Sequence, residues 1–273
     1  MVGIKLGHVT IGLSAPMQEE RLFFDGSSSG YLSYIRHEPS HKGMPWVVFL
    51  SGFRSDKQGS KAVYGDAWAR EKGVGYLRFD YRGHGASSSV FETCCLSDWL
   101  EDVLHILDRL VPEPALLVGS SMGGWLMLLA ALQRPEKIRA LLGIASAPDF
   151  TEDLIMTALS PIEKQELATN GVVYLPDCYG DQPYPITSQL IEDGKRHLML
   201  RQPTIPIHCP VSLMHGMKDE DVPWQTSVSL AEKLESEDVT ITLHKQGDHR
   251  MSDAESLKQM VSAIERLIQK TTL

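Results

Sequence analysis

From Trp46 onward the chain alternates two kinds of segment, and that alternation restricts the available folds more than any other feature. "WVVFL", "VGYLRFD", "ALLVG", "ALLGIAS", "PVSLMHG" and "VTITLHK" are short, nearly continuous apolar runs rich in Val, Leu and Ile. Such runs mark strands covered on both faces. Helical patterns lie between them. In "SDWLEDVLHILDRLV", Trp99, Val103, Ile106 and Leu110 recur at helical spacing, with Ser97 as N-cap. "WLMLLAALQRPEK" ends its helix before Pro135, and "TSVSLAEKLES" and "DAESLKQMVSAIERLIQK" supply the last two helices. Strands alternating with helices predict right-handed crossovers and a mostly parallel sheet flanked by helices. Upstream, "RLFFDG" and "YLSYIRHE" on either side of "DGSSSG" predict a hairpin.

Residues 149–207 break the pattern. They hold no convincing buried strand but contain Pro161, Pro176, Pro183, Pro185, Pro203 and Pro206. "SPIE" at 160–163 has the form of a capping box with Pro at the first helical position. "TSQLIEDGKRHLML" predicts a further helix. Structureless loops of this length are uncommon. The segment is therefore read as a small helical lid over the carboxyl edge of the sheet, with 1–148 and 208–273 forming the core.

With 273 residues the chain can bury a core without metals or disulfides. A formal net charge of -9 has the wrong sign for a nucleic-acid-binding face and gives no help on anionic lipid. No apolar run approaches the ~20 residues of a membrane span, and no repeat is present. The cysteines at 94, 95, 178 and 209 include no C-x-x-C pair, so free thiols in a reducing compartment are expected. "MVGIKLGHVTIGLSAPM" has a weak charged start and a broken apolar stretch, and it is not expected to act as a signal peptide.

The chemistry centres on Gly119-Ser120-Ser121-Met122-Gly123, which follows an apolar run and precedes a helix rich in Ala and Leu. That is the strand–turn–helix setting of a nucleophile elbow, with Ser121 at its tip and Ser120 turned into packing. A serine hydroxyl needs a base, and the base needs an orienting acid; in this architecture they follow in the order Ser, Asp or Glu, His. "PVSLMHGMKDEDVPW" ends an apolar run in a loop with Asp219 and Asp221, and "VTITLHKQGDHRM" ends the next with His249. Both loops fall at carboxyl ends of strands, where open α/β sheets place their sites. Asp219 is the expected acid, with Asp221 as the alternative. His249 is preferred over His244, which lies within its apolar run, and His215 is expected to pack behind the acid. His84 and His208 are given structural roles. The oxyanion donors are expected from the backbone N–H of Met122 and of Phe53, in "SGFRSD".

"FDYRGHG", "GSSMGGW" and "HGMKDEDVP" resemble the α/β-hydrolase superfamily. More narrowly, "GSSMGGWLMLLAA", "RPEK", "HGMKDEDVPW" and "DHRM" resemble the mitochondrial palmitoyl-protein thioesterases that also act as acyl-glucuronide esterases, and their bacterial relatives. The similarity runs from about Trp46 to near Leu267. It implies the α/β-hydrolase fold, Ser121, Asp219 and His249 as the triad, no cofactor or metal, and small-molecule or acyl-protein ester and thioester substrates. The chain lacks an Arg-rich transit segment, so a bacterial cytoplasmic setting is expected first and a processed mitochondrial matrix form second. Serine at the elbow disfavours dehalogenase and epoxide-hydrolase chemistry, which places an aspartate there. A C–C bond hydrolase of the ring-cleavage type and a non-catalytic ligand-binding protein on the same fold are the alternatives. Leu154, Met156, Leu159, Leu198 and Met199 offer an adaptable apolar wall, or pack the lid. Arg250, beside His249, is the candidate contact for a substrate carboxylate.

Overall fold

The computed structural model describes residues 18–26, 29–176 and 183–271. The expectations for the N-terminal segment, the tip of the first turn and Cys178 lie outside them. The strands are β1 (Glu20–Phe23), β2 (Tyr31–His37), β3 (Trp46–Leu50), β4 (Gly75–Phe79), β5 (Ala115–Ser120), β6 (Ile138–Ile144), β7 (Val172–Leu175), β8 (Tyr184–Thr187), β9 (Val211–Gly216) and β10 (Val239–His244). Eight of them form one sheet in the order β1-β2-β4-β3-β5-β6-β9-β10. The pairs β1/β2 and β2/β4 are antiparallel, and every other neighbouring pair in this sheet is parallel.

The helices are α1 (Ser60–Lys72), α2 (Leu96–Leu110), α3 (Met122–Gln133), α4 (Met156–Ala158), α5 (Pro161–Asn170), α6 (Ser188–Gly194), α7 (Gln225–Lys233) and α8 (Ala254–Thr271). The strands explain why both faces are covered. In β3, Val47 and Phe49 join the core built with Trp68 of α1 and Ile264 of α8. Val48 and Leu50 join the opposite core with Trp99 of α2 and Trp125 of α3. Leu116 and Val118 of β5 face the first core, and Ala115 and Leu117 the second. The period-2 alternation thus buries two apolar faces in one strand, which is why these runs read as continuous. Among the described residues no helix is long and apolar enough to cross a membrane. Cys94, Cys95 and Cys209 are free thiols.

The helix after β4 starts differently from the sequence expectation. Cys95, with extended backbone, is the N-cap of α2, and its N–H donates to Asp98 Oδ2 at 2.9 Å. Ser97 lies inside the first turn, where its N–H and Oγ–H both donate to Asp193 of α6, at 2.7 and 2.8 Å. A long-range carboxylate captures the serine that local pattern assigns to a cap.

Segment 149–207 contains α4, α5 and α6, preceded by a π-turn over Thr151–Ile155. The predicted capping box forms: Ser160 N–H donates to Glu163 Oε2 at 2.8 Å and Glu163 N–H to Ser160 Oγ at 3.3 Å. The segment also holds an antiparallel β7/β8 ribbon that sequence reading did not include. Each strand has only four residues and Pro185 sits in β8, a placement that edge pairing allows and that hides the strand pattern. The segment is pinned at its base. Asp149, fully buried, accepts Met199 N–H at 2.7 Å, Leu200 N–H at 2.9 Å and Arg201 Nη1 at 2.8 Å, which ties its first residues to its last.

A buried charge network around Asp66 links stability to pH. Asp66 accepts Arg78 Nε at 2.9 Å and Arg70 Nε at 2.8 Å. Burial alone would raise its carboxyl, but His37, Arg78 and Arg70 outweigh this and hold it at about 2. The unfolded chain binds the Asp66 proton at about pH 3.8, so the stabilisation is complete above that value and is lost as pH falls towards 2. The urea midpoint of the wild type is expected to fall more steeply between about pH 4 and pH 2.5 than that of Asp66→Asn. Parallel pH dependences would contradict this assignment.

Candidate active site

Ser121 stands between β5 and α3 with φ 54 and ψ -118, a region that side chains rarely adopt. The strain is imposed by how closely the backbone must pass. A Cβ on Gly119 would run into the carbonyl of Gly123, and one on Gly123 into the carbonyls of Leu50 and Ser51. Ser121 is anchored by its N–H to Ile144 O at 2.9 Å and by its carbonyl, which accepts Gly124 N–H at 2.8 Å. The turn therefore lifts the Ser121 hydroxyl from the sheet edge, while Ser120 is buried.

The loops after β9 and β10 meet this turn because their strands lie on the same side of the sheet order. His249 Nε2 lies 3.1 Å from Ser121 Oγ, and His249 Nδ1 lies 2.8 Å from Asp219 Oδ2. The arrangement suits an Nδ1–H imidazole that donates to the carboxylate and accepts from the serine hydroxyl. Asp219 Oδ1 accepts the N–H groups of Asp221 at 2.9 Å and Val222 at 2.8 Å. Burial would raise Asp219, but His215, His249 and the Val222 amide together hold it well below the usual carboxylate range. Asp221 thus meets Asp219 through its backbone, and its own side chain is not the one bonded to His249. His244 closes β10, and exposed His208 lies 3.8 Å from Glu235, well away from this line.

His215 does more than fill space. It is completely buried, with Nε2 3.0 Å from both Asp219 Oδ2 and Val222 O, and Nδ1 2.7 Å from Ser227 Oγ. Two acceptors at Nε2 require the proton there, so Ser227 donates to Nδ1. The result is a second donor on the same carboxylate oxygen that serves His249. Its position at the end of β9, four residues before Asp219, was the available sequence signal.

The loop after β3 closes the other side. A Cβ on Gly52 would sit 3.4 Å from Ser121 Cβ, so Phe53 follows directly beside the nucleophile turn. Among the described residues, neither Phe53 N–H nor Met122 N–H donates to a protein acceptor. The Phe53 ring packs edge-on against Phe91, Trp99, Phe150 and Tyr184.

A cleft of about 900 Å³ opens above Ser121 and His249. Phe150, Leu154, Ile155, Leu175 and Tyr184 of segment 149–207 line it, as do Lys61 and Arg250. Of the five apolar residues marked in the sequence for a substrate wall, Leu154 lines this cleft. Leu159 and Met199 are buried in the core, and Leu198 and Met199 border a separate cavity of about 320 Å³. Burial and the neighbouring Arg250 lower the Lys61 ammonium to about 8, and its Nζ donates to Arg250 O.

The model of the Alpha/beta hydrolase family matches residues 47–259. The chain belongs to the alpha/beta hydrolase family. This hydrolase is 41% identical over 261 residues to palmitoyl-protein thioesterase ABHD10, mitochondrial, of Mus musculus, covering 94% of this chain and 86% of the relative. It is 40% identical to the Homo sapiens protein of the same name, over 83% of this chain and 74% of the relative. Among solved structures it matches an Agrobacterium vitis S4 protein with TM-score 0.88 and 38% identity, covering 93% of this chain and all (100%) of the other. The mouse alpha/beta hydrolase domain-containing protein 10 matches with TM-score 0.82 and 39% identity, over 92% and 99% of the two chains. It has thioesterase homologues over most of its length. Asp219, Asp221 and His249 of this hydrolase offer possible ligand atoms within 4.8 Å of one another. The Asp219 oxygens and His249 Nδ1 are engaged in the hydrogen bonds above.

Proposed function

We propose that this hydrolase cleaves carboxylic esters or acyl thioesters through an acyl-enzyme on Ser121. The hydrogen-bond line Ser121–His249–Asp219, opening into an apolar-walled cleft, carries the reading. Ser121 Oγ attacks the acyl carbonyl as His249 Nε2 takes its proton. Asp219 holds the imidazole in the Nδ1–H form and stabilises its charged state. The Phe53 and Met122 amides receive the developing oxyanion; such a donor contributes ~3–4 kcal/mol at the transition state. His249 returns the proton to the leaving alcohol or thiol, and water then releases the acid by the same steps. Segment 149–207 acts as the lid, and Arg250 at the cleft rim meets an anionic leaving group.

The name of the mouse and human relatives favours thioesters with long acyl chains. Both relatives are named as mitochondrial, which favours the mitochondrial alternative over the cytoplasmic setting expected first.

Matched oxygen esters and thioesters of two to sixteen acyl carbons test the substrate class. Each methylene buried in the cleft contributes ~0.8 kcal/mol, so kcat/KM is expected to rise about fourfold per methylene until the apolar wall is covered. A profile that is flat, or that falls beyond about four carbons, would remove the acyl-pocket reading and leave small activated esters.

A further inference from the structure

We infer that His84 is a positioning residue for the reaction, holding through its Nε2 the peptide that leaves Phe53. The inference rests on the proposed reading of Ser121 as nucleophile and Phe53 as oxyanion donor. Arg54 N–H donates to His84 Nε2 at 3.2 Å, and the ring's other nitrogen, Nδ1, lies 3.3 Å from Arg82 O. Among the described residues Nδ1 meets a carbonyl, which can only accept, so Nδ1 carries the proton. Nε2 is then a bare acceptor, matched to the Arg54 amide. A ring with protons on both nitrogens would set N–H against N–H.

The surroundings keep the ring in that state. His84 is 4% exposed, with Tyr81, Phe91 and Trp99 packed edge-on at centroid distances of 5.5, 5.2 and 5.2 Å. Burial lowers the imidazole to about 4 despite the Arg82 carbonyl and the charges of Asp80 and Asp56, which favour protonation; the Arg54 charge acts with burial. Phe91 and Trp99 also pack on the Phe53 ring, so one aromatic cluster supports both the histidine and the loop it holds.

The loop needs such a hold. Arg54 has φ 56, a left-handed conformation disfavoured for a side-chain-bearing residue. Released from His84, the 53–54 peptide can rotate toward an ordinary conformation; the Gly52–Ser55 turn then loses its anchor to the core, and the Gly52–Phe53 peptide at its start, which bears the donor N–H, is held less firmly beside Ser121. A donor must sit within hydrogen-bond reach of the oxyanion, not of the ground-state carbonyl, so the loss falls on turnover more than on binding. His84 and Arg54 are 30 residues apart, brought together because β3 and β4 are parallel neighbours with adjoining carboxyl ends.

The test compares wild type, His84→Phe, His84→Gln and Ser121→Ala on one good ester substrate. Phe keeps a ring but removes the acceptor; Gln can place an oxygen near Nε2. His84→Phe is expected to lower kcat about 10- to 100-fold with KM within about twofold, and His84→Gln to recover kcat to within about threefold of wild type. An unchanged kcat in His84→Phe, a loss carried by KM, or a Gln variant no better than Phe would overturn the inference. Nitrogen-15 NMR of the wild-type imidazole answers independently should the Phe variant not fold: a proton on Nδ1 and none on Nε2 at neutral pH is expected, and an Nε2–H form would overturn it. Activity surviving in Ser121→Ala would strike instead at the mechanism on which the inference rests.

Discussion

Ser121→Ala is expected to lower kcat by about 10⁶-fold while leaving the fold and substrate binding in place. The substitution removes one oxygen and keeps Cβ, so the strained φ of 54 and the backbone bonds to Ile144 O and Gly124 N–H persist. Among the described residues the hydroxyl is bonded to His249 Nε2 alone, and its loss leaves that nitrogen facing the open cleft. Thermal unfolding is therefore expected to stay close to wild type. An activated phosphonate ester distinguishes a lost nucleophile from a lost pocket. Intact mass should show one phosphonyl adduct on the wild type and none on the variant. Hydrolysis that survives Ser121→Ala, or an adduct on both proteins, would refute the acyl-enzyme.

Asp219→Asn is expected to cost about 10⁴-fold in kcat, because every acceptor site used on this carboxylate is filled by a donor. Oδ1 receives two backbone amides, and Oδ2 receives His249 and His215. An amide can face the backbone donors with its oxygen or the histidines with its oxygen, but not both. If the oxygen keeps the backbone, the amide donates to His249 Nδ1 and moves the imidazole proton to Nε2. That nitrogen would then donate to Ser121 and could not accept its proton. If the amide turns, the Asp221 and Val222 N–H groups face other donors and the loop opens. Either route removes the base. Because Asp219 is held well below the usual carboxylate range, mild acid leaves it ionised. A kcat loss under about tenfold at neutral pH, with normal thermal stability, would mean that another acid orients His249.

Different kinds of feature were legible at different ranges. Ser160–Glu163 is a contact between residues three apart, and its capping box was visible in four letters. Ser97 carried an equally good local signal, yet Asp193, 96 residues away, takes its hydroxyl and amide. The β7/β8 ribbon was hidden because each strand is short and contributes little alternation, and because Pro185 argues locally against a strand. Asp219 and Asp221 both sit in a suitable loop. The fold of that loop brings Asp219 Oδ2 to 2.8 Å from His249 Nδ1 and sets the Asp221 N–H against Asp219 Oδ1.

The sequence alone determined the strand–helix alternation, the two-faced burial of the central strands, the tight glycine-flanked turn at Ser121 and the chain order of the candidate site residues. These are periodic or short-range properties, set by which faces must leave water and which backbone turns admit a side chain. Tertiary structure alone decided that His249 reaches the Asp219 oxygen that nearby His215 also meets, and that His84 Nε2 accepts the Arg54 N–H. Those contacts join loops from strands that are neighbours only in the folded sheet. Their geometry depends on strand order and on spacings of ~5 Å between strands, which no local pattern encodes.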